Sequence, residues 1–381
     1  MKPLSLSVTS MPRSGIRVIM DRAFNLPDCI RLEVGEPNFP TPQHVLDATD
    51  RAARAGMTKY TQNTGIPELR SRLAEVFTES TGQATDMAQV VVTTGAMAAL
   101  YTTLMSIADP EDEVLVMSPS WPNYLMQMGL LGIRPITVLT TAANGYIPTI
   151  AQLESAVSKR TKALLINSPS NPTGAVISQT QMAEILEFAR TADIYVISDE
   201  VYDQFVYDDD HASAASHDSD GRVICINSFS KTYSMTGFRV GYAIAPPEIA
   251  TLIGKCQEPT TSCVNAPAQY GALAALNGPK EIITEMLEAY RERRSEVNHL
   301  LSSAGIPALH PKGAFYVWID ISSSKRSDMD FALDLIDRHR VTVVPGSTFG
   351  PGNDDRVRIS LATSPDDLYE GVRRLIEETR N

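Results

Sequence analysis

The feature that most constrains the fold of this chain is the alternation of short apolar runs with amphipathic helical patterns. The apolar runs end in polar, glycine or proline loops and span residues 89–93, 112–117, 163–167, 193–198 and 222–227. Helical spacing of one apolar face is found in Met97, Leu100, Tyr101 and Leu104, and again in Met182, Ile185, Leu186 and Ala189. Strands without polar alternation are typical of a sheet covered on both faces by helices. We therefore expect an α/β domain with a mostly parallel sheet.

The pattern changes after about residue 275. The sequence predicts a long charged helix over 281–301, shorter strands at 314–319 and 341–344, and a closing helix around 368–376. These elements indicate a smaller α+β domain. The four residues 291–294, three of them arginines, are expected to lie on an exposed face of the long helix.

Length supports a division into domains, since 381 residues exceed the size at which a single core stops growing. We expect residues 1–40 to form an N-terminal arm and part of the small domain. Residues 41–275 are then the large domain, and residues 276–381 are the small C-terminal domain.

Charge and cysteine content exclude several classes of function. The net charge of -12 disfavours nucleic acid and anionic membranes as partners. The four cysteines form no CxxC pair and the histidines no HExxH motif, so we assign no metal and expect a cytoplasmic protein. The acidic stretch 208–211 is interpreted as solvated surface. Neither a signal peptide nor an apolar run long enough to cross a membrane is recognisable.

Polar side chains follow several of the predicted strands, where open parallel sheets bind their ligands. The loop 168–174 presents Asn171 in a turn set by two prolines and a glycine. The loop 198–203 places Asp199 and Tyr202 directly after a buried strand.

Two further loops carry charge or free backbone donors. The segment 228–242 contains Ser228, Lys231 and Arg239. The segment 93–99 turns from a strand into the start of a helix, where free N–H groups and the helix dipole favour a phosphate. Each loop alone has an ordinary structural explanation. A phosphate site, a buried acid, a phenol, a lysine and an arginine together are what a pyridinium aldehyde phosphate requires.

Motifs in a fixed order carry a resemblance to a known family over almost the whole chain. They are Gly35-Glu-Pro, Lys59-Tyr-Thr-Gln-Asn-Thr-Gly65, the Asn-Pro-Thr-Gly turn at 171–174, Ser198-Asp-Glu-Val-Tyr202, residues 228–242, Gly313-Ala-Phe-Tyr316 and Arg356-Val-Arg-Ile-Ser360. The chain resembles the class I/II aminotransferases of pyridoxal 5′-phosphate (PLP) fold type I. The resemblance implies a large domain with a mostly parallel sheet flanked by helices and a smaller α+β domain. It also implies PLP as cofactor.

The resemblance further implies a role for each loop residue. Lys231 would hold the cofactor as a Schiff base and, once displaced, carry a proton. Asp199 would pair with the protonated ring nitrogen. Tyr202 and Asn171 would hydrogen-bond the phenolate oxygen, and Trp121 would stack on the ring.

The remaining implied roles concern the phosphate and the substrate. The phosphate would be bound by Gly95, Ala96, Met97, Ser228, Arg239 and, from across a dimer interface, Tyr60. The substrate would be bound by Asn171, the Gly35 backbone and Arg358, which would clamp the α-carboxylate. Arg356 competes for this last role, because both arginines share one face of the predicted strand. Only the position in the motif favours Arg358.

These features favour an amino-acid aminotransferase that moves an amino group from an L-amino acid to a 2-oxo acid, with 2-oxoglutarate as the expected acceptor, by ping-pong half-reactions. A lyase on the same scaffold, such as a C–S lyase, is the first alternative. A regulator's PLP-binding domain is disfavoured by the acidic chain, and a nicotinamide dehydrogenase by the lack of GxGxxG after a strand. The resemblance implies a homodimer with shared active sites.

Overall fold

The computed structural model describes residues 2–9, 11, 14–24 and 26–380. The helices are α1 (Leu6–Thr9), α2 (Gly15–Ala23), α3 (Gln43–Arg54), α4 (Pro67–Thr81), α5 (Gly95–Ile107), α6 (Asn123–Leu131), α7 (Ile150–Ala156), α8 (Gln179–Thr191), α9 (Phe229–Thr232), α10 (Pro247–Thr261), α11 (Ala266–Asn277), α12 (Glu281–Ser303), α13 (Asp328–His339) and α14 (Pro365–Arg380). The strands are β1 (Ile30–Arg31), β2 (Val90–Thr93), β3 (Glu113–Ser118), β4 (Arg134–Leu139), β5 (Thr161–Asn167), β6 (Tyr195–Asp199), β7 (Val223–Ser228), β8 (Gly241–Ile244), β9 (Tyr316–Asp320), β10 (Val341–Thr342), β11 (Val344–Pro345) and β12 (Arg356–Ser360).

A sheet of seven strands forms the centre of the described chain, in the order β2-β8-β7-β6-β5-β3-β4. Its neighbouring strands are parallel except where β8 pairs with β2 and β7. Each of the five apolar runs is a strand of this sheet. The predicted α/β fold with a mostly parallel sheet is therefore confirmed.

Helices cover both faces of the large sheet because successive strand residues point to opposite sides. On one face Val114 and Ile197 pack with residues of α5 and α10. On the other, Leu115 and Val196 pack with residues of α7 and α8. Helix α8 is capped by Ser178, the residue before its start, whose hydroxyl accepts a hydrogen bond from the Gln181 backbone N–H. Buried side chains cover both faces, so the ligand-accessible groups are confined to the strand ends.

The smaller sheets form beside this domain. Strands β11, β12 and β9 pair antiparallel, and β1 from the N-terminal segment pairs parallel with β10. Their core includes residues of α12, α13 and α14. Strand β1, before residue 40, pairs with β10, after residue 275, and on this ground we propose the division of the chain at residues 40 and 275. No helix among the described residues is long and apolar enough to span a membrane.

One expectation about α12 was wrong. Arg293 and Arg294 are 6% and 5% exposed rather than solvated. Arg293 donates to Asn38 Oδ1 and to the Leu361 carbonyl, and Arg294 donates to the carboxylate of Asp208. Both guanidinium groups are hydrogen-bonded by partners from distant parts of the chain, which a local charge pattern does not reveal.

Candidate active site

A cavity of about 360 Å³ opens at the carboxyl ends of the large sheet, between it and the smaller sheets. It brings together most of the residues that the sequence singled out. These are Gly35, Ala96, Met97, Trp121, Asn171, Asp199, Tyr202, Ser228, Lys231, Arg239 and Arg358. They come from the strand ends, as open parallel sheets require, and from segments near residues 35 and 358.

Asp199, the last residue of β6, is a buried acid in this cavity. Its Oδ2 accepts a hydrogen bond of 2.6 Å from the Tyr124 hydroxyl, and its Oδ1 one of 3.3 Å from the Val201 backbone. Burial raises the pKa of Asp199 to about 6, although both hydrogen bonds oppose the increase. The carboxylate is thus fixed in orientation, but the groups around it do not offset the cost of burying its charge. A cationic ligand group would offset that cost.

Lys231 reaches the cavity from α9, the short helix after β7. Its Nζ donates to the Gly35 carbonyl at 2.5 Å. Burial lowers the pKa of Lys231 to about 8, helped by the nearby charges of Arg358 and Arg239 and opposed chiefly by Glu36. An appreciable fraction of this amine is therefore neutral near neutral pH, the form that acts as a nucleophile or base.

An anion cradle lies at the start of α5. Gly95 has φ +73°, and a Cβ built on it would lie 2.5 Å from the Arg239 guanidinium. The first backbone N–H groups of a helix lack intrahelical partners, and Arg239 lies beside the first residue of this one. Ser228, whose hydroxyl lies 2.8 Å from that of Ser230, lines the same cavity as Ala96 and Arg239. The cradle fits a phosphate.

A hydrogen-bonded chain links the ends of β5 and β6 to β12. Arg358 Nη1 donates to Asn171 Oδ1 at 2.8 Å, and the Asn171 N–H donates to Asn167 Oδ1 at 2.8 Å. Asn167 Nδ2 donates in turn to the Asp199 carbonyl at 2.9 Å. Arg358 is 2% exposed, and its Nε has no hydrogen-bond partner among the described residues. An orphaned buried guanidinium donor suits a ligand carboxylate.

The structure separates the two arginines that the sequence left in competition. Arg356 lies at the start of β12 and forms an ion pair with Asp320. Arg358 stacks on the Tyr316 ring, with its guanidinium carbon 4.3 Å from the centroid, and lines the cavity. Arg358 is therefore the arginine available to a ligand.

Of the remaining predicted residues, Tyr202 and Trp121 line the cavity, whereas Tyr60 does not. Tyr202 is buried, and its hydroxyl lies 2.9 Å from that of Tyr316. Trp121 lines the cavity and packs edge to face on Tyr124 at 5.5 Å. Tyr60 is 89% exposed and does not line the cavity of this chain.

Sequence reasoning missed several residues of the site. Tyr124, Asn167 and Tyr316 make the contacts described above but were assigned no role. Tyr124 follows the Trp121 motif by three residues on α6, a spacing that could have suggested it. The apolar Ile16 and Met20 of α2 also line the cavity, and no local pattern indicated that.

The site groups fit the cofactor that the resemblance implies. The cradle at Gly95 and Arg239 suits its phosphate, the uncompensated Asp199 suits a protonated ring nitrogen, and Lys231 supplies an amine for its aldehyde. No cluster of His, Cys, Asp and Glu side chains suited to a metal ion is found in the described part of the chain.

Comparisons with known proteins agree with this geometry. The family model for aminotransferases of class I and II matches residues 27–375. An aspartate aminotransferase of Thermotoga maritima is 40% identical over 351 residues, 91% of this chain and 90% of that relative. Aromatic-amino-acid aminotransferase 2 of Thermococcus litoralis is 36% identical, over 95% and 94%. The solved structure of Thermus thermophilus aspartate aminotransferase with maleate superposes with a TM-score of 0.95 at 34% identity, covering 99% of this chain and all of that one.

Proposed function

Because this chain belongs to the family of class I and II aminotransferases, we propose that the cavity around Lys231 is its active site. The chain is a PLP-dependent amino-acid aminotransferase. The observation that carries the assignment is the convergence of Lys231, Asp199 and the anion cradle at Gly95 on one cavity.

The bound cofactor supplies an aldehyde that takes up the amino group and a ring that withdraws electrons from the substrate Cα. Lys231 is the amine that holds the cofactor and, once released, moves the proton at the substrate Cα. Its depressed pKa of about 8 suits this role, since a general base works best near the operating pH.

Asp199 holds the ring nitrogen in its protonated form. The carboxylate of Asp199, whose pKa burial raises, would be stabilised in its ionised form by a protonated ring nitrogen beside it. Tyr124 fixes the orientation of Asp199 through the 2.6 Å hydrogen bond. Asn171 Nδ2 and the Tyr202 hydroxyl are the donors for the phenolate oxygen, and Trp121 covers the ring.

Arg358 binds the substrate α-carboxylate. Its free Nε and its planar fork of donors favour bidentate recognition, and the chain through Asn171 and Asn167 fixes its position relative to Asp199. The Gly35 backbone lies at the same point of the cavity, within reach of Lys231.

The rest of the cavity wall supports an amino donor with a neutral side chain. Ile16, Met20, Met97 and Trp121 give it an apolar surface. Among the described residues that line the cavity, the cationic ones are Lys231, Arg239 and Arg358, and each already has a role. A second substrate carboxylate would lose its hydration without gaining a cation there, which is costly.

We also propose that the enzyme is a homodimer, with Tyr60 reaching the phosphate site of the partner subunit. The support is that Tyr60 is 89% exposed and does not line the cavity of its own chain, so it is available to a partner subunit. An active monomer in solution would overturn this part of the proposal.

The test is an absorbance experiment on the PLP-loaded enzyme. Lys231→Ala should remove the absorbance of lysine-bound PLP while leaving the fold intact, and Lys255→Ala, on α10, is the control. Single amino acids are then added without a 2-oxo acid. Loss of the band with release of one equivalent of 2-oxo acid identifies the donor.

We expect leucine, methionine or phenylalanine to react at lower concentrations than aspartate. The second half-reaction is then measured with 2-oxoglutarate, the acceptor that the resemblance implies, and with pyruvate, whose side chain is a methyl group. Because the side-chain carboxylate of 2-oxoglutarate would meet the same apolar wall as that of aspartate, pyruvate should react at the lower concentration. A preference for aspartate would show that a cation outside this cavity, such as one from the partner subunit, binds the side-chain carboxylate. Release of ammonia instead of a stoichiometric transfer would favour lyase chemistry.

A further inference from the structure

A second buried carboxylate lies directly behind the active site. Glu200 follows Asp199 in the chain and is 4% exposed. Its oxygens are surrounded by donors, which are Ser198 Oγ at 2.8 Å, Ser213 Oγ at 3.2 Å, the Ala214 backbone N–H at 3.0 Å, His211 Nε2 at 3.0 Å and Cys225 Sγ at 3.6 Å. None of these contacts belongs to the machinery assigned above, and Glu200 does not line the cavity.

The contacts of Glu200 close a loop. The residues from 201 to 210 leave the end of β6 and carry Tyr202 into the cavity. They return to Glu200 at positions 211, 213 and 214. The carboxylate therefore ties together both ends of a segment whose first residues touch the active site.

His211 and Glu200 stabilise each other's charged forms. Burial opposes the charge on His211, but the hydrogen bond and the charge of Glu200 outweigh it and raise the pKa of His211. Burial likewise opposes the charge on Glu200, and His211 and the other donors lower the pKa of Glu200. Asp203 also faces His211, and the Cys225 thiol and Tyr242 phenol lie in the field of Glu200.

We propose that Glu200 and His211 form a positioning ion pair for the active site. The pair fixes the strand end that carries Asp199 and the loop that carries Tyr202, and the positive charge of His211 cancels the negative charge of Glu200 behind the cofactor-binding groups. This inference rests on the proposed role of Asp199.

The positive charge of His211 matters because Asp199 and Glu200 are neighbouring buried carboxylates whose negative charges repel each other. The negative charge of Glu200 makes Asp199 easier to protonate. Asp199 must stay ionised to hold a protonated ring nitrogen. An imidazolium beside Glu200 relieves this conflict without placing a cation inside the cavity, where it would compete with Lys231 and Arg358.

The experiment is a pH titration of the visible absorbance of the PLP-loaded enzyme. In His211→Gln the charge of Glu200 is uncompensated, while the other donors keep it ionised. Negative charge favours protonation of the cofactor-binding groups, so the midpoint should rise by about 0.5 to 1 pH unit, less than the 1 to 3 units of a directly contacting charge. The double variant Glu200→Gln, His211→Gln should return to the wild-type midpoint.

The control is His217→Gln, whose imidazole binds Gln179 rather than Glu200. It should leave the midpoint unchanged. If the pair has only a structural role, His211→Gln and the double variant should both have a lower melting temperature. The absorbance midpoint would then show no increase in His211→Gln that the double variant reverses. That result, or an unchanged midpoint in His211→Gln, overturns the proposal.

An NMR titration of the histidines in wild-type protein and in Glu200→Gln decides the matter even when His211→Gln does not fold. One imidazole should titrate above the ordinary range in the wild type and return to lower pH in Glu200→Gln. Six ordinary histidines in the wild type would refute the ion pair. This readout needs no bound PLP, so a failure of the proposed active site is seen separately, as the absence of the lysine-bound absorbance.

Discussion

The hydrogen bond from Tyr124 to Asp199 offers a direct test of how this protein controls its cofactor-binding acid. Tyr124→Phe removes one hydroxyl from a residue that is 1% exposed and keeps the ring that packs on Trp121. Asp199 keeps the longer hydrogen bond from the Val201 backbone. The substitution therefore changes the environment of the carboxylate with little change in shape.

The magnitude follows from the geometry. A hydrogen bond to a charged group contributes roughly 1.5–3 kcal/mol, and a pKa unit corresponds to about 1.4 kcal/mol. Loss of the 2.6 Å bond should therefore raise the pKa of Asp199 from about 6 to about 7–8. The wild-type carboxylate is mostly ionised at pH 7, whereas that of the variant is between half and one-tenth ionised.

The assay is the affinity of cofactor-free enzyme for pyridoxamine 5′-phosphate between pH 5 and 9, measured by calorimetry. This ligand binds without a bond to Lys231, so the ring nitrogen and its carboxylate partner dominate the difference between variants. We expect Tyr124→Phe to bind about two- to tenfold more weakly at pH 7 and about as tightly as wild type at pH 9. Tyr195→Phe, at the opposite end of β6 from Asp199, is the control.

The sign of the pH dependence is the decisive part. A group with a raised pKa loses its ionised form as the pH falls, so the affinity gap between Tyr124→Phe and the wild type must widen from pH 9 to pH 7. A gap of constant size at every pH would mean that Tyr124 contributes packing and not control of Asp199. An unchanged affinity throughout would refute the assigned role of the hydrogen bond.

Three further substitutions test other parts of the site. Gly95→Ala places a methyl group against the Arg239 guanidinium and strains a backbone at φ +73° by about 1 kcal/mol; PLP titrations should show weaker loading, by about fivefold or more. Arg358→Lys removes a bidentate donor and should raise KM for the amino acid by about tenfold with normal PLP loading. The control is Arg356→Lys, at the arginine that pairs with Asp320, and it should leave KM unchanged. Equal effects of the two substitutions would contradict the assignment. Met97→Lys adds a cation to the apolar wall and should raise kcat/KM for aspartate relative to leucine severalfold in a donor panel; an unchanged ratio would place the side-chain site elsewhere.

Much of the fold could be predicted from the sequence because the large domain buries its strands on both faces. An apolar run such as 163–167 is too short for a helix and is followed by a proline turn, so it favours a strand buried on both faces, and it is part of β5. The loops that follow the runs meet at one edge because most of the strands are parallel. Local patterns placed Asn171, Asp199 and Ser228 at strand ends, and all three line the cavity.

Residues whose role depends on contacts between distant segments were not predictable in this way. Tyr316 reaches Tyr202 from β9, more than a hundred residues away in the chain. The burial of Arg293 depends on Asn38 and Leu361, and a charged helical pattern indicates a solvated face when such partners are unknown. The sequence shows which residue types are available, and the tertiary structure decides which of them are paired.

The pairing of β5 with β6 explains how a cofactor site and a substrate site can be held in a fixed relation. Their parallel register places Asn167 beside Asp199, the last residues of the two strands. Asn167 then donates to the Asp199 backbone with its amide nitrogen and accepts from Asn171 with its amide oxygen. Because Asn171 in turn binds Arg358, the distance between the proposed ring-nitrogen acid and the proposed carboxylate clamp is set by one register and three hydrogen bonds. In the proposed site, sheet geometry thus sets the position of the α-carboxylate, and the apolar residues of the cavity wall are proposed to select the side chain.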